Sequence, residues 1–463
     1  MGDRLLIALI AVIHVLINHG LAVGFYPLIT WLEYKAFRKG GTAQVADPAW
    51  DQLARRLATV AFIITTTIGA MTGVGIWFAS SLVNPASIGS LIRVFYGAWF
   101  VEWTVFVTEV VLILLYYLSW KRSNRSPEAK SRHILLGVAL SIFSWITMAI
   151  IVSILGFMMD TGSWTENRTF VSGFSNPIYL PQLAFRTPAA ALFGGTVALF
   201  LAVLFTPKES SLRTEALRSI SKWILAAIPF TTIGAFFYYR QIPRLMIGNL
   251  QVAVATMDFQ EWYVLLVRFM AAGLLTVGVV ALITWLRPRW KVPAAVYFLP
   301  VLSMMAFIGI FERIREFIRK PYVIGEYMYS NTLRKEDYPL YRRDGILAHM
   351  AYTPVRKITP ENQVQAGEQV FLMACSRCHT TNGINSIVEK FENMYQLQAN
   401  QPLDAASLKA YISNIQNARY FMPPFPGNDA ELDALIAYIQ QVRTTRQPLP
   451  GAQERGLATT TLP

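Results

Sequence analysis

The 463-residue chain is poor in cysteine, in histidine and in charge: it has two cysteines and five histidines, and charged residues make up 15% of it. Ordinary soluble chains carry about 25% charged residues, so a soluble globular chain is disfavoured. Two thiols cannot build a disulfide framework, and Cys375 and Cys378 stand too close in sequence to staple distant elements. The net charge of +13 would suit a nucleic-acid partner, but no helix-turn-helix, zinc-finger or RNA-binding signature accompanies it. Nucleic acid is therefore not expected as a partner. Glycine-rich nucleotide loops are missing. So are the paired repeats and broken helices that mark a transporter.

What remains is hydrophobic residues, which make up 54% of the chain. A bilayer span needs about 20 apolar residues, and eight such stretches occur, roughly 5–32, 57–82, 92–119, 133–159, 185–206, 220–239, 262–286 and 293–316. The first is too long for a signal peptide and has no small-residue cleavage site, so it reads as a span. The expected fold class is all-α. An eight-helix transmembrane bundle over 1–320 leads through a connector at 321–360 into a small α-helical domain at 361–445 and a disordered tail at 446–463. The connector is rich in tyrosine and charge, and its aromatics are expected near the membrane interface.

Lysine and arginine accumulate in cytoplasmic connections. Connections 33–56, 121–132, 207–222 and 287–291 together hold seventeen, whereas the alternate ones hold five: Arg93, Arg168, Arg186, Arg240 and Arg244. This asymmetry puts the amino terminus outside, and eight spans return the carboxyl terminus to the outside. The expected location is the cytoplasmic membrane of a bacterium or archaeon.

Both cysteines lie in "FLMACSRCHTTNG". Cys375-Ser-Arg-Cys378-His379 reads as c-type haem attachment, with two thioethers to the porphyrin and the imidazole on one face of the iron. A thioredoxin-like redox pair and half of a zinc site are the alternatives. The first lacks a βαβ context and the second lacks another Cys/His pair. Downstream, "ARYFMPPFPG" offers Met422 as the second axial ligand, stiffened by the prolines after it; its alternative is a core filler. "ELDALIAYIQQVR" closes the module with an apolar stripe at helical spacing. Residues 361–445 resemble a class I cytochrome c domain, which implies one covalent haem c.

Ionisable groups at membrane depth are costly and hence functional candidates. His14 lies roughly 14 Å in from the outer end of the first span, at 1.5 Å per residue. Its alternative is a hydrogen-bonded core imidazole, which is also the expectation for His19, on another helix face. Glu102 and Glu109 share one face of the third span, with Glu109 about 10 Å deeper. They read as a carboxylate ladder towards the outer surface, or else as structural polars bonding neighbouring helices. His133 is expected at the interface. His349 has no assigned role.

Residues 1–322 resemble subunit I of the cytochrome bd quinol oxidases. "LIALIAVIHVLI" is similar to that family's first helix, whose histidine ligates the oxygen-reducing haem, and His14 takes its place. "IGAMTG" is similar to a Gly-x-x-Thr-Gly motif. "TEVVLILLYYLSWKR" puts Glu109 on a proton-pathway glutamate, with Glu102 one position from a second. "EFIRKPY" puts Glu316 on a carboxylate haem ligand, and "VRFM" puts Met270 on the methionine ligand of a low-spin b-haem. The resemblance implies one or two bundle haems of type b or d.

Three departures accompany the resemblance. Arg186 stands where that methionine's partner histidine is expected, the quinol-binding loop is short at 240–261, and a cytochrome c domain replaces the ninth helix. Electrons are then expected to enter or leave by the tethered haem c, exchanged with a periplasmic partner such as a soluble cytochrome c. Further membrane subunits or a second copy are also expected as partners. Two functions remain open: a bd-like terminal oxidase reducing O2 without the usual quinol loop, and an electron-transfer subunit of a larger complex with no O2 chemistry.

Overall fold

A computed structural model describes residues 2–41, 44–249, 262–383, 385–397 and 401–445. The expected disordered tail, 446–463, lies outside the described residues, as does 250–261 of the short loop. The chain divides into two compact units, Gly2–Tyr327 and Met328–Pro463.

Among the described residues of the first unit, eight helices are long and apolar enough to cross a membrane: α1 Leu6–Gly40, α2 Pro48–Val83, α3 Tyr96–Ser123, α4 Pro127–Met159, α5 Tyr179–Phe205, α6 Ser211–Gln241, α7 Leu265–Leu286 and α8 Ala294–Ile318. Their starts follow local chemistry. Asp47 caps α2 by accepting from the Ala49 and Trp50 amides at 3.0 and 3.1 Å. Ser126 caps α4 and Ser210 caps α6 in the same manner. Each side chain satisfies backbone donors that have no partner within the helix. Proline follows directly after the cap in α2 and α4, where its missing N–H costs nothing.

Several helices outrun the expected spans, and three residues near span ends prove to be buried within helices. Lys130 and His133 sit in α4, buried among protein side chains, so Lys130 is not a loop charge. Arg186, counted with the outer connections, is a buried residue of α5.

Helix α5 is the central one: 61% of its apolar window is buried, against 11% for α7. Small residues allow this. A Cβ on Gly194 of α5 would lie 2.4 Å from the carbonyl of Gly24 in α1, so the two backbones touch there, and packing of this kind drives helix association in lipid. The core joins Phe25, Leu28, Ile29 and Leu32 of α1 to Leu192, Ala198 and Leu199 of α5 and Leu217 and Ile224 of α6. Phe100, Trp103, Leu118, Phe230 and Leu275 face outward, as lipid-facing side chains would.

The second unit has four main helices: α9 Gln363–Ala374, α10 Ile387–Tyr395, α11 Ala405–Ser413 and α12 Asp429–Thr445. Helices α9 and α12 cross in direct contact at Gly367, where a Cβ would sit 1.9 Å from the Ala434 carbonyl oxygen. Val370 and Phe371 of α9 pack with Leu408 of α11 and with Leu432, Leu435 and Ile439 of α12. Part of the expected connector belongs to this core: Ile346, Leu347 and Val355 are buried in it. The buried Glu431 of α12 fixes that segment by accepting from the Ile346 and Leu347 amides, both at 2.8 Å.

Candidate functional site

In the second unit, α9 delivers the cysteine pair. The chain turns as α9 ends: the Cys378 and His379 amides both donate to the Cys375 carbonyl at 3.0 Å. This turn brings the two thiols and the imidazole into one loop. His379 Nδ1 lies 3.2 Å from the Asn385 carbonyl oxygen; with the proton on Nδ1, Nε2 carries the lone pair a metal requires. Asn385 also donates through its amide to the Cys378 carbonyl, which ties the two ends of the loop together. Burial, with Cys378 alongside, pushes the Cys375 thiol up to about 12. A redox-active pair needs an accessible thiolate, so this environment disfavours the thioredoxin-like alternative. Met422 is half-buried in the strap that follows the short helix Ile415–Ala418, its amide donating to the Arg419 carbonyl at 2.8 Å. His349 pairs with Asp344 at 2.9 Å on the surface of this unit.

In the bundle, His14 packs against the glycine motif of α2. Its Nδ1 lies 3.2 Å from both the Gly69 carbonyl and Thr72 Oγ1. A Cβ on Gly73 would meet the ring at 3.1 Å, so the motif accommodates the imidazole as well as binding it. Residues Thr65–Gly69 are π-helical, and so are Asn18–Val23 just beyond His14. Such widened turns re-aim backbone groups and recur at functional sites. Among the described residues nothing hydrogen-bonds His14 Nε2, the nitrogen suited to a metal when Nδ1 donates.

His19 is the expected core imidazole: buried, with Nδ1 3.1 Å from the Val15 carbonyl and Nε2 3.2 Å from Arg186 Nη1. Arg186 continues to Glu312 Oε1 at 2.5 Å, and Arg315 Nε reaches Glu312 Oε2 at 2.8 Å. With its amide oriented to accept, Gln182 receives the Arg186 guanidinium at 3.1 Å. Glu316 pairs with Arg319 one helical turn on. Glu312 stands at the end of the last span, where the sequence around it names no partner on another helix. The partner is three helices away in sequence, and only packing of α5 on α8 reveals it.

Glu109 is buried and accepts from Ser144 and Thr147 of α4 at 2.6 and 3.1 Å. Glu102 is half-buried on the same helix, and Met270 is half-buried against the bundle core. Beyond Glu109 lies a polar cluster that sequence reasoning missed. Glu33 accepts from Tyr116 at 2.7 Å and meets His133 at 2.6 Å and Lys130 at 2.7 Å. Lys130 also binds Asp51 at 2.5 Å, which accepts from Trp120 and Asn124. The signal lay in four ionisable residues within a few positions of apolar runs; reading the spans as ending earlier hid it. No group of three or more histidine, cysteine, aspartate or glutamate side chains able to hold a bare metal ion occurs among the described residues.

Residues 362–439 match the protein-family profile described as "Cytochrome C oxidase, cbb3-type, subunit III". The C-terminal module is a cytochrome c domain. The bundle is similar to the solved structure of a bd oxidase from Geobacillus thermodenitrificans, with a TM-score of 0.58 and 18% identity over 69% of this chain and 87% of that one. At that identity the shared property is the fold: eight apolar helices arranged as in a bd oxidase chain. A search of curated proteins by sequence gives no match. The chain is thus a haem-containing electron-transfer membrane protein, with haem c as the cofactor of the cytochrome c domain.

The bundle residues fit a porphyrin in one place and not in another. Near Glu316, Arg315 Nη1 and Arg319 Nε are buried without a hydrogen-bond partner among the described residues. Buried guanidinium N–H groups require acceptors, and porphyrin propionates are bidentate-compatible anions. Arg186 is different. A guanidinium has no lone pair to give to iron, and this one is committed to Glu312 and His19. A second axial ligand opposite Met270 is therefore not available from Arg186.

Proposed function

We propose that the chain is a membrane-bound haem oxidoreductase that passes electrons between the cytochrome c domain and haem held in the bundle, and that it reduces O2 at the His14 site. Haem, when bound, supplies the redox chemistry; each O2 reduced to two waters consumes four electrons and four protons. His14 binds iron through Nε2, held in register by Gly69 and Thr72. Glu316 provides a carboxylate ligand, and Arg315 and Arg319 bind propionates. Glu109 and Glu102 hold and relay the protons, Glu109 anchored by Ser144 and Thr147. Cys375, Cys378, His379 and Met422 hold haem c on the outer side, where a periplasmic cytochrome c exchanges electrons with it. The bundle holds haem b or haem d without a low-spin haem between Met270 and Arg186.

The observation that carries this reading is the His14 arrangement: an intramembrane imidazole with one nitrogen fixed by a backbone carbonyl and a hydroxyl, as metal-binding imidazoles are fixed by the partners of their other nitrogen. The experiment is a CO difference spectrum of the purified chain with haem extraction, alongside oxygen uptake driven by reduced cytochrome c. CO binding and uptake, both lost in His14→Ala while covalent haem c is retained, are expected. Extractable haem that binds no CO, with no uptake from any donor, would leave the chain an electron-transfer subunit. The Arg186–Glu312 pair favours that second reading only in removing one haem.

A further inference from the structure

The opposite end of the bundle carries a feature that electron transfer does not use. Between α1 and α6 lies a cavity of about 410 Å³ lined by Trp31, Lys35, Ser219, Lys222 and Trp223. Lys35 Nζ donates to Ser219 Oγ at 2.6 Å. The same ammonium stands 4.5 Å from the Trp31 ring centroid and 5.0 Å from that of Trp50. It is thus held by a hydroxyl and two aromatic faces, with no carboxylate in direct ion-pair contact among the described residues. The nearby carboxylate of Glu215 is taken by Lys39. Lys222 has no ion-pair partner among the described residues either. Two ammonium groups line one cavity without a direct ion pair among the described residues, Glu215 acting on Lys35 only at longer range.

The walls are equally informative. The Trp31 and Trp223 rings face each other across 6.0 Å, and the Trp223 N–H is already spent on the Ala191 carbonyl at 3.0 Å. The indoles therefore offer apolar surface, while the lysines and the serine hydroxyl offer donors. Tryptophan concentrates at the depth of lipid headgroups, and this end of the helices carries the excess of lysine and arginine. Basic pockets between membrane helices on the cytoplasmic side suit the headgroups of anionic lipids.

We infer that this cavity binds a phosphoryl group, and that the group is the headgroup phosphate of an anionic phospholipid whose glycerol lies against the edge of the indole pair. The phosphate accepts from Lys35 and Lys222, and Ser219 keeps the Lys35 ammonium in position.

The test uses the full haem-loaded chain in detergent, with native mass spectrometry after addition of phosphatidylglycerol or phosphatidylcholine. Preferential retention of one phosphatidylglycerol is expected. In K35Q/K222Q the selectivity should fall roughly thirty-fold, each lysine near a lipid phosphate contributing about a factor of five. K35R/K222R should retain it. An unchanged thermal transition of the bundle helices, followed by far-ultraviolet circular dichroism, shows that both variants fold. Equal retention of the two lipids by the wild type, or selectivity that survives K35Q/K222Q, would overturn the proposal. A parallel arm adds inorganic phosphate alone. Weak binding supports the lipid source, whereas displacement of phosphatidylglycerol by millimolar phosphate would make the ligand a soluble anion and overturn the lipid assignment.

Discussion

In the bundle, buried charge is answered by side chains, by hydroxyls at Glu109 and elsewhere by buried charge. Glu33, Lys130, His133 and Asp51 satisfy one another across three helices, and Arg186, Glu312 and Arg315 do so across two more. In the cytochrome c domain the one charged side chain that is fully buried among the described residues, Glu431, is answered by backbone: the Ile346 and Leu347 amides. The difference follows from the surroundings. A membrane helix has already spent its own backbone groups and lipid offers none, so an intramembrane charge must find a side chain. A small domain with loops has amides to spare, and a carboxylate gathers them.

Breaking the bundle's arrangement should have the larger effect. Lys130→Met leaves Glu33 and Asp51 without their shared cation, and removing one partner of a buried pair costs about 3–5 kcal/mol. The thermal transition of the bundle, followed by far-ultraviolet circular dichroism, should drop sharply while the spectrum of haem c is unchanged. An unshifted transition would mean that Lys130 is dispensable to the cluster.

In the cytochrome c domain, the sharpest perturbation is steric. Gly367→Ala drives a methyl into the Ala434 carbonyl and should cost about 1–3 kcal/mol, read as a lower melting point of the haem c circular dichroism band and a lower yield of covalently attached haem. Glu431→Gln tests the backbone answer directly. It keeps the shape but replaces a charge-assisted pair of hydrogen bonds by a single neutral acceptor, at about 1–2 kcal/mol. The loss should appear in the same band, with the bundle's transition unmoved.

The smallest expected effect is a pH dependence on the domain surface. Hydrogen bonds from Arg343 and His349 hold the Asp344 carboxyl down at about 2, from an ordinary value of 3.8. The folded state therefore binds its proton less readily than the unfolded chain. This contribution to stability is present above pH 3.8 and lost as pH falls through about 2. Because Asp344 is exposed, the difference in melting point between wild type and Asp344→Asn should be small at neutral pH and vanish towards pH 2. A difference that persists at pH 2 would exclude this account.

Composition and short motifs were enough for the architecture. Apolar runs gave eight membrane helices, and Cys375-Ser-Arg-Cys378-His379 with the Met422 strap gave the cytochrome c domain. For the candidate sites, legibility depended on locality. His14 and the Gly69-to-Gly73 motif stood out as sequence features, because each is a short run of unusual residues in an apolar span. The Lys130–Glu33–Asp51 cluster did not, because helices run past the hydrocarbon thickness and their polar ends look like loops. Arg186 was legible as a departure from an expected histidine, but nothing in "LAFRTPAA" says that Glu312 waits on α8.

By itself, the sequence determined where the chain is helical, which stretches are long and apolar enough to cross a bilayer and which segment is a cytochrome c domain, since each of these follows from side chains within a few turns of one another. Tertiary structure decided which buried charges neutralise each other, which nitrogen of His14 is hydrogen-bonded, and that Ile346, Leu347 and Val355 complete the second core. Those outcomes depend on contacts between segments tens to hundreds of residues apart. Lipid and a packed interior make an unpartnered polar group costly, but the pattern of a single segment does not record which distant group supplies the partner.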